Sequence, residues 1–102
     1  MIARIWHGRT DADRFDEYMD YMTRTGVRDL RATPGNQRVL VLCERGEKSA
    51  DIVFISLWDS LESIRAFAGD DITKARYYPR DTEFLHELEP NVRHLDVAAD
   101  AT

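Results

Sequence analysis

From Ile52 to Trp58 every position is apolar except Ser56. The run is rich in β-branched and aromatic residues, which predicts a strand. Alternation sends Ile52, Phe54, Ser56 and Trp58 to one side and Val53, Ile55 and Leu57 to the other, so both faces are apolar. A sheet in a small α+β domain needs one dry face under its helices. A second dry face asks for a second layer, most simply another copy of the chain. After this strand, Asp59 or Ser60 caps a helix, and Glu62 stands three residues after Asp59 at capping-box spacing. Leu61, Ile64 and Ala68 recur at helical spacing with Phe67 beside them, and Gly69 ends the helix. Asp70-Asp71 begins a short helical turn carrying Ile72, Ala75, Tyr77 and Tyr78, which Pro79 stops.

The rest of the pattern falls around this unit. Ile2 to Gly8 alternates as a first strand, with Ile2, Arg4 and Trp6 on one side and Ala3, Ile5 and His7 on the other. Thr10 or Asp11 then caps a helix, with Asp13 at capping-box spacing from Thr10. Phe15, Tyr18, Met19 and Met22 mark one helix face, and Val27 and Leu30 extend it past Gly26 to about Arg31. Thr33-Pro34-Gly35-Asn36 is a turn, Gln37 to Arg45 a second strand, and Gly46 to Ser49 a hairpin connection. Asp81 starts a short helix with Phe84, Leu85 and Leu88 on one side, ended by Pro90. Asn91 to Val97 is a last strand, with Val92, His94 and Asp96 opposed to Arg93, Leu95 and Val97.

The order is β-α-β-β-α-β with extra helical turns before the last strand. This predicts an α+β, ferredoxin-like fold with an antiparallel sheet. Residues 1–98 make one domain and 99–102 a frayed tail, as expected for a chain of 102 residues. A net charge of −5 argues against a nucleic-acid or anionic-membrane partner. The lone Cys43 gives no disulfide framework, and no apolar run is long enough to span a bilayer. With no basic-then-apolar leader in MIARIWHGRT, a cytoplasmic protein is expected. There is no Cys-x-x-Cys, His-Glu-x-x-His, carboxylate metal loop, glycine-rich phosphate loop or nucleophile elbow.

A strand ending in LWDS, a helix, then AFAGDD, ARYYP, a short helix and a closing V-HLDV resemble the antibiotic biosynthesis monooxygenase (ABM-like) family. The opening RIWHG and the PGN turn fit the same pattern, and the resemblance spans residues 2 to 97. It implies a homodimer whose two ferredoxin-like sheets close into an α+β barrel. It also implies one of two chemistries. One is cofactor-independent oxygenation of a polycyclic phenol by dioxygen; the other is haem binding and degradation. The haem-degrading branch carries an Asn on the first strand, a Trp in the second helix and a His ligand beyond it. Those positions fall at or near His7, at Phe67 and at Tyr77 here. All three differ from that pattern, so no resident cofactor is expected, although a tyrosine can ligate ferric haem.

The candidate site residues follow. His7 and His94 are candidate bases for an acidic phenol, or else hydrogen-bonded histidines of their strands. Trp58, Phe67, Arg76, Tyr77 and Trp6 are candidate pocket residues, with Trp58 and Trp6 open to a core or interface role. His86 sits among Glu83, Glu87 and Glu89 and is read as solvated. Two functions remain open. One is a cofactor-independent monooxygenase acting on a small aromatic or polycyclic phenol. The other is a non-catalytic dimer binding a small hydrophobic molecule or haem.

Overall fold

A computed structural model describes all 102 residues. Four strands, β1 (Ile2–Asp11), β2 (Asn36–Arg45), β3 (Ser49–Trp58) and β4 (Arg93–Asp96), form one antiparallel sheet in the order β2-β3-β1-β4. This is the ferredoxin-like order expected from the sequence. The helices are α1 (Phe15–Met22), α2 (Arg28–Ala32), α3 (Leu61–Ala68) and α4 (Asp81–Phe84). The core lies between them and one face of the sheet. On β3, Ile52, Phe54, Ser56 and Trp58 are buried there. Val53, Ile55 and Leu57 are half-buried on the face that no helix covers. Register places Ala3, Ile5 and His7 of β1, Leu40 and Leu42 of β2 and Leu95 of β4 on that same open face.

Several local expectations are corrected. β1 runs on to Asp11, because Thr10 turns inward and its hydroxyl donates to the Phe84 carbonyl at 2.8 Å. Neither Thr10 nor Asp11 therefore makes a side-chain cap. The first helix continues beyond Met22 through a π turn at Thr23–Val27, and Gly26 sits within that turn. At α3 the cap is Ser60, whose hydroxyl accepts from Ser63 N–H at 3.2 Å. Glu62 pairs with Arg65 instead of completing a capping box.

Residues 72–78 are not helical. Ala75 N–H donates to the Pro90 carbonyl and Val92 N–H to the Thr73 carbonyl, so this segment runs beside residues 90–92. Tyr78 precedes Pro79, which disfavours a helical conformation there. α4 stops at Phe84. Leu85 is extended and bridges Thr10, while His86 N–H donates to the Arg9 carbonyl at 2.9 Å. Leu88 is thereby left exposed rather than on a helix face. No helix is long and apolar enough to cross a membrane.

Candidate functional site

The helix-side face of the sheet does not pack shut everywhere. A small cleft of about 50 Å³, open to solvent, lies between β1, β3, the first helix and the 72–81 segment. Trp6 and Phe54 from the sheet, Tyr18 from α1, Phe67 from α3 and Tyr78 give it aromatic walls. The Trp6 and Phe54 rings are 5.1 Å apart and tilted, as aromatic pairs prefer. Trp6 also folds back over Gly8, where any β-carbon would stand 2.5 Å from the indole. Gly26 in the π turn lines the cleft, and turns of this kind recur at functional sites.

Four polar side chains complete the lining: Arg4, Ser56, Arg76 and Asp81. Arg4 is 4% exposed. Its guanidinium donates to the carbonyls of Ile72 and Lys74, and its Nη1 is 3.1 Å from Nε2 of His94. Burial lowers its pKa to about 10, which still leaves it charged at neutral pH. Arg76 stacks over the Phe67 ring at 4.8 Å and the Tyr78 ring at 5.1 Å, and donates to the Phe67 carbonyl. Asp81 is buried, accepting from the Tyr18 hydroxyl at 3.0 Å and from Tyr78 N–H at 2.6 Å. Burial raises its pKa, against the pull of those two bonds. Burial and the Asp81 carboxylate push the Tyr18 phenol far up, and burial together with Asp29 does the same at Tyr78. Both phenols therefore stay neutral donors.

Of the residues singled out from sequence, Trp6, Phe67 and Arg76 line the cleft together. Trp58 does not. It is wholly buried, donating from Nε1 to the Ser56 hydroxyl at 2.9 Å, with its ring 6.2 Å from Phe67. Tyr77 stands behind the wall, edge-on to Trp6 at 6.2 Å, with its hydroxyl donating to the Glu89 carbonyl. His94 lies beside the cleft, behind Arg4. Burial, then the Arg4 charge, lower its pKa, so it is neutral at pH 7. His7 is on the open face, opposite Val53, with Nδ1 bonded to Glu89 and Nε2 to Asp51 at 3.0 Å. Burial pulls its pKa down, but the bonds to Glu89 and Asp51 outweigh this and the net shift is upward.

Sequence reasoning passed over Arg4, Tyr18, Ser56 and Asp81 as site residues; of Tyr77 and Tyr78, read as one packed and one facing solvent or a ligand, it is Tyr78 that lines the cleft. The signal for Arg4 was present: it is a charged residue between Ile2 and Trp6 on the side of β1 that faces the core. Nothing local marks Asp81, whose role depends on contacts with α1.

No protein-family model matches the chain, and no curated protein matches it by sequence. Solved structures do share its fold. A protein of unknown function from Nitrosomonas europaea, NE2512, superposes with a TM-score of 0.67 at 13% identity, over 99% of this chain and 92% of that one. A MhuD mutant with two manganese protoporphyrin IX molecules bound per active site superposes with a TM-score of 0.61 at 14% identity. That match covers 100% of this chain and 99% of the other. At these identities the likeness establishes the fold.

Proposed function

We propose that the protein is an ABM-type monooxygenase that binds a planar phenolic molecule in the helix-side cleft and oxygenates it with dioxygen, without a resident cofactor. The observation that carries this reading is the cleft itself: five aromatic side chains enclose a solvent-open space on an otherwise packed face. Such walls hold a flat ring system and keep water from an electron-rich intermediate. The protein acts as a dimer in which two open sheet faces meet. Ile5, Leu40, Leu42, Val53, Ile55, Leu57 and Leu95 supply the contact, and Leu42 and Leu95 are exposed in the single chain.

Chemically, the reaction needs a base to ionise the phenol. His94 is the candidate on the cleft side: it is neutral at pH 7, and its Nε2 becomes free to take the proton when the bond from Arg4 is released. The resulting anion reacts with dioxygen. For an anthrone, one dioxygen supplies the new quinone oxygen, and its other oxygen leaves as water with the two hydrogens lost from the ring carbon. His7, on the other face, serves the open-face surface in this reading rather than the cleft.

The residues fit haem less well. No histidine lines the cleft, and the phenols of Tyr18 and Tyr78 are bonded to Asp81 and Asp29. Tyr77, at the position of the haem ligand in the resemblance, is bonded to the Glu89 carbonyl outside the cleft. No cluster of three metal-ligating side chains occurs elsewhere. We therefore derive no step through a haem iron. A binding protein for a flat hydrophobic molecule remains the second reading, favoured by the protoporphyrin in the MhuD structure.

The test is conversion of anthrone to anthraquinone under air, followed by absorbance. The proposal expects turnover above the spontaneous rate and a large loss in His94→Gln. Tight binding with no turnover would replace it with the second reading.

A further inference from the structure

We infer that the cleft is built for an aromatic oxyanion, a carboxylate or ionised phenol carried on the ring system, with Arg4 as the residue that pairs with it. This rests on reading the cleft as an aromatic-binding site, and it adds the charge of the ligand.

Arg4 is a costly residue to bury. Arg4 as a residue is 4% exposed, so its side chain has lost most of its hydration. Buried charges are ordinarily paired, since taking an ion out of water is unfavourable. Elsewhere in the chain Arg9 meets Asp51, and Arg76 lies 3.6 Å from Asp29. Arg4 has none. Its three bonds go to two neutral carbonyls and a neutral imidazole.

Its donors are also not exhausted. Arginine carries five N–H groups in a fixed fork. Nη1 is occupied by Ile72 and His94 and one hydrogen of Nη2 by Lys74, which leaves Nε–H and the second Nη2 hydrogen. No fully buried side-chain nitrogen or oxygen lacks a partner, so the free Nε is not sealed in the interior. Arg4 lines the cleft, and the inference places its unused edge toward that space. Adjacent Nε–H and Nη2–H form the bidentate face of a guanidinium, which matches the spacing of two carboxylate oxygens.

The other charges around the cleft do not cancel this field. Arg76 is a second cation in the lining. The one carboxylate there, Asp81, has its oxygens taken by Tyr18 and Tyr78. The chain as a whole carries −5, so a general basic surface is not the cause of any preference for anions. Phe67 sits 6.0 Å under Arg4 and 4.8 Å under Arg76, so a ring lying against Phe67 would bring a substituent toward the Arg4 fork.

The experiment is calorimetric titration of the whole protein with three probes of one shape: anthracene-2-carboxylate, 2-hydroxyanthracene and anthracene-2-carboxamide. The inference expects the carboxylate to bind at least about tenfold tighter than the neutral amide. If the hydroxy compound gains the same advantage as pH rises through its own ionisation, the oxyanion is a phenolate. Arg4→Met should remove the preference while keeping amide binding, and Arg4→Lys should restore part of it. Equal affinity of wild type for carboxylate and amide would overturn the inference, leave the aromatic site standing, and reduce Arg4 to a tether for residues 72–74. Failure of all three probes to bind would overturn both. The wild-type comparison decides the question even if Arg4→Met does not fold.

Discussion

Replacing Trp58 separates two roles that sequence leaves open for it, a wall of the ligand site or a pillar of the core. Its ring is fully buried at the end of β3, paired in register with Ile2 on one side and Asn36 on the other. Trp58→Ala removes that ring, and a Trp-to-Ala change in a core costs about 3–5 kcal/mol. It also strands the Ser56 hydroxyl, which accepts the indole N–H at 2.9 Å. Losing that partner adds about 1 kcal/mol. Domains of this size are stable by about 5–15 kcal/mol, so the variant loses roughly a quarter or more of its stability. Trp58→Phe keeps a ring but loses the N–H, at about 1–2 kcal/mol. The assay is urea unfolding at fixed protomer concentration, because a dimer's midpoint moves with concentration. The midpoint of Trp58→Ala should fall by more than about 1 M. Since Trp58 stands outside the cleft wall, Trp58→Phe should keep the affinity for an anthracene probe within about twofold, a change of well under 1 kcal/mol. A loss below about 1 kcal/mol in Trp58→Ala would refute the core assignment, given the magnitudes for buried Trp. Loss of probe binding in Trp58→Phe at unchanged stability would return Trp58 to the site.

Three further outcomes follow from the structure. Ile55→Asp puts a carboxylate at the centre of the open sheet face, between Ile5 and Leu40. Burying it in a sheet-to-sheet dimer should weaken association by at least about 100-fold, read by sedimentation; a wild-type monomer would end the barrel proposal. Asp81 has a pKa raised above its ordinary 3.8 by burial, so its favourable contribution is complete below that value and is lost as pH rises through the folded value. Asp81→Asn can donate to Tyr18 and accept from Tyr78, so its stability relative to wild type should rise from acid to neutral pH in thermal melts. A flat difference would show that the carboxyl is not shifted. Ser60→Ala removes the α3 cap and should cost about 1 kcal/mol by urea unfolding, and no measurable cost would mean that Asp59 takes over the cap.

The sequence carried the sheet well because strand alternation is a local signal. The two-sided pattern of Ile52 to Trp58 correctly sorted every residue of that strand, and the same alternation placed Arg4 with Trp6 and His7 with Ile5. It did less well where the partner is distant. Thr10 has the composition of a cap, but a carbonyl 74 residues away takes its hydroxyl. The 72–78 segment has helical spacing on paper, yet its backbone is bonded to residues 90–92. The cleft was half legible. Aromatic residues at Trp6 and Phe67 could be flagged by type, whereas Tyr78 rather than Tyr77 faces the ligand space because of that same extended segment. Histidine drew attention through its chemistry, although position decides its use: His94 reaches Arg4, and His7 is turned to the other face between two carboxylates.

The most direct test of the ligand site is a two-dimensional amide NMR titration of the protein with anthracene-2-carboxylate. The largest shifts should fall on Gly26, Phe54, Phe67 and Tyr78, around the cleft on the helix side. Shifts concentrated on His7, Leu42 and Val53, on the open face of the sheet, would contradict it.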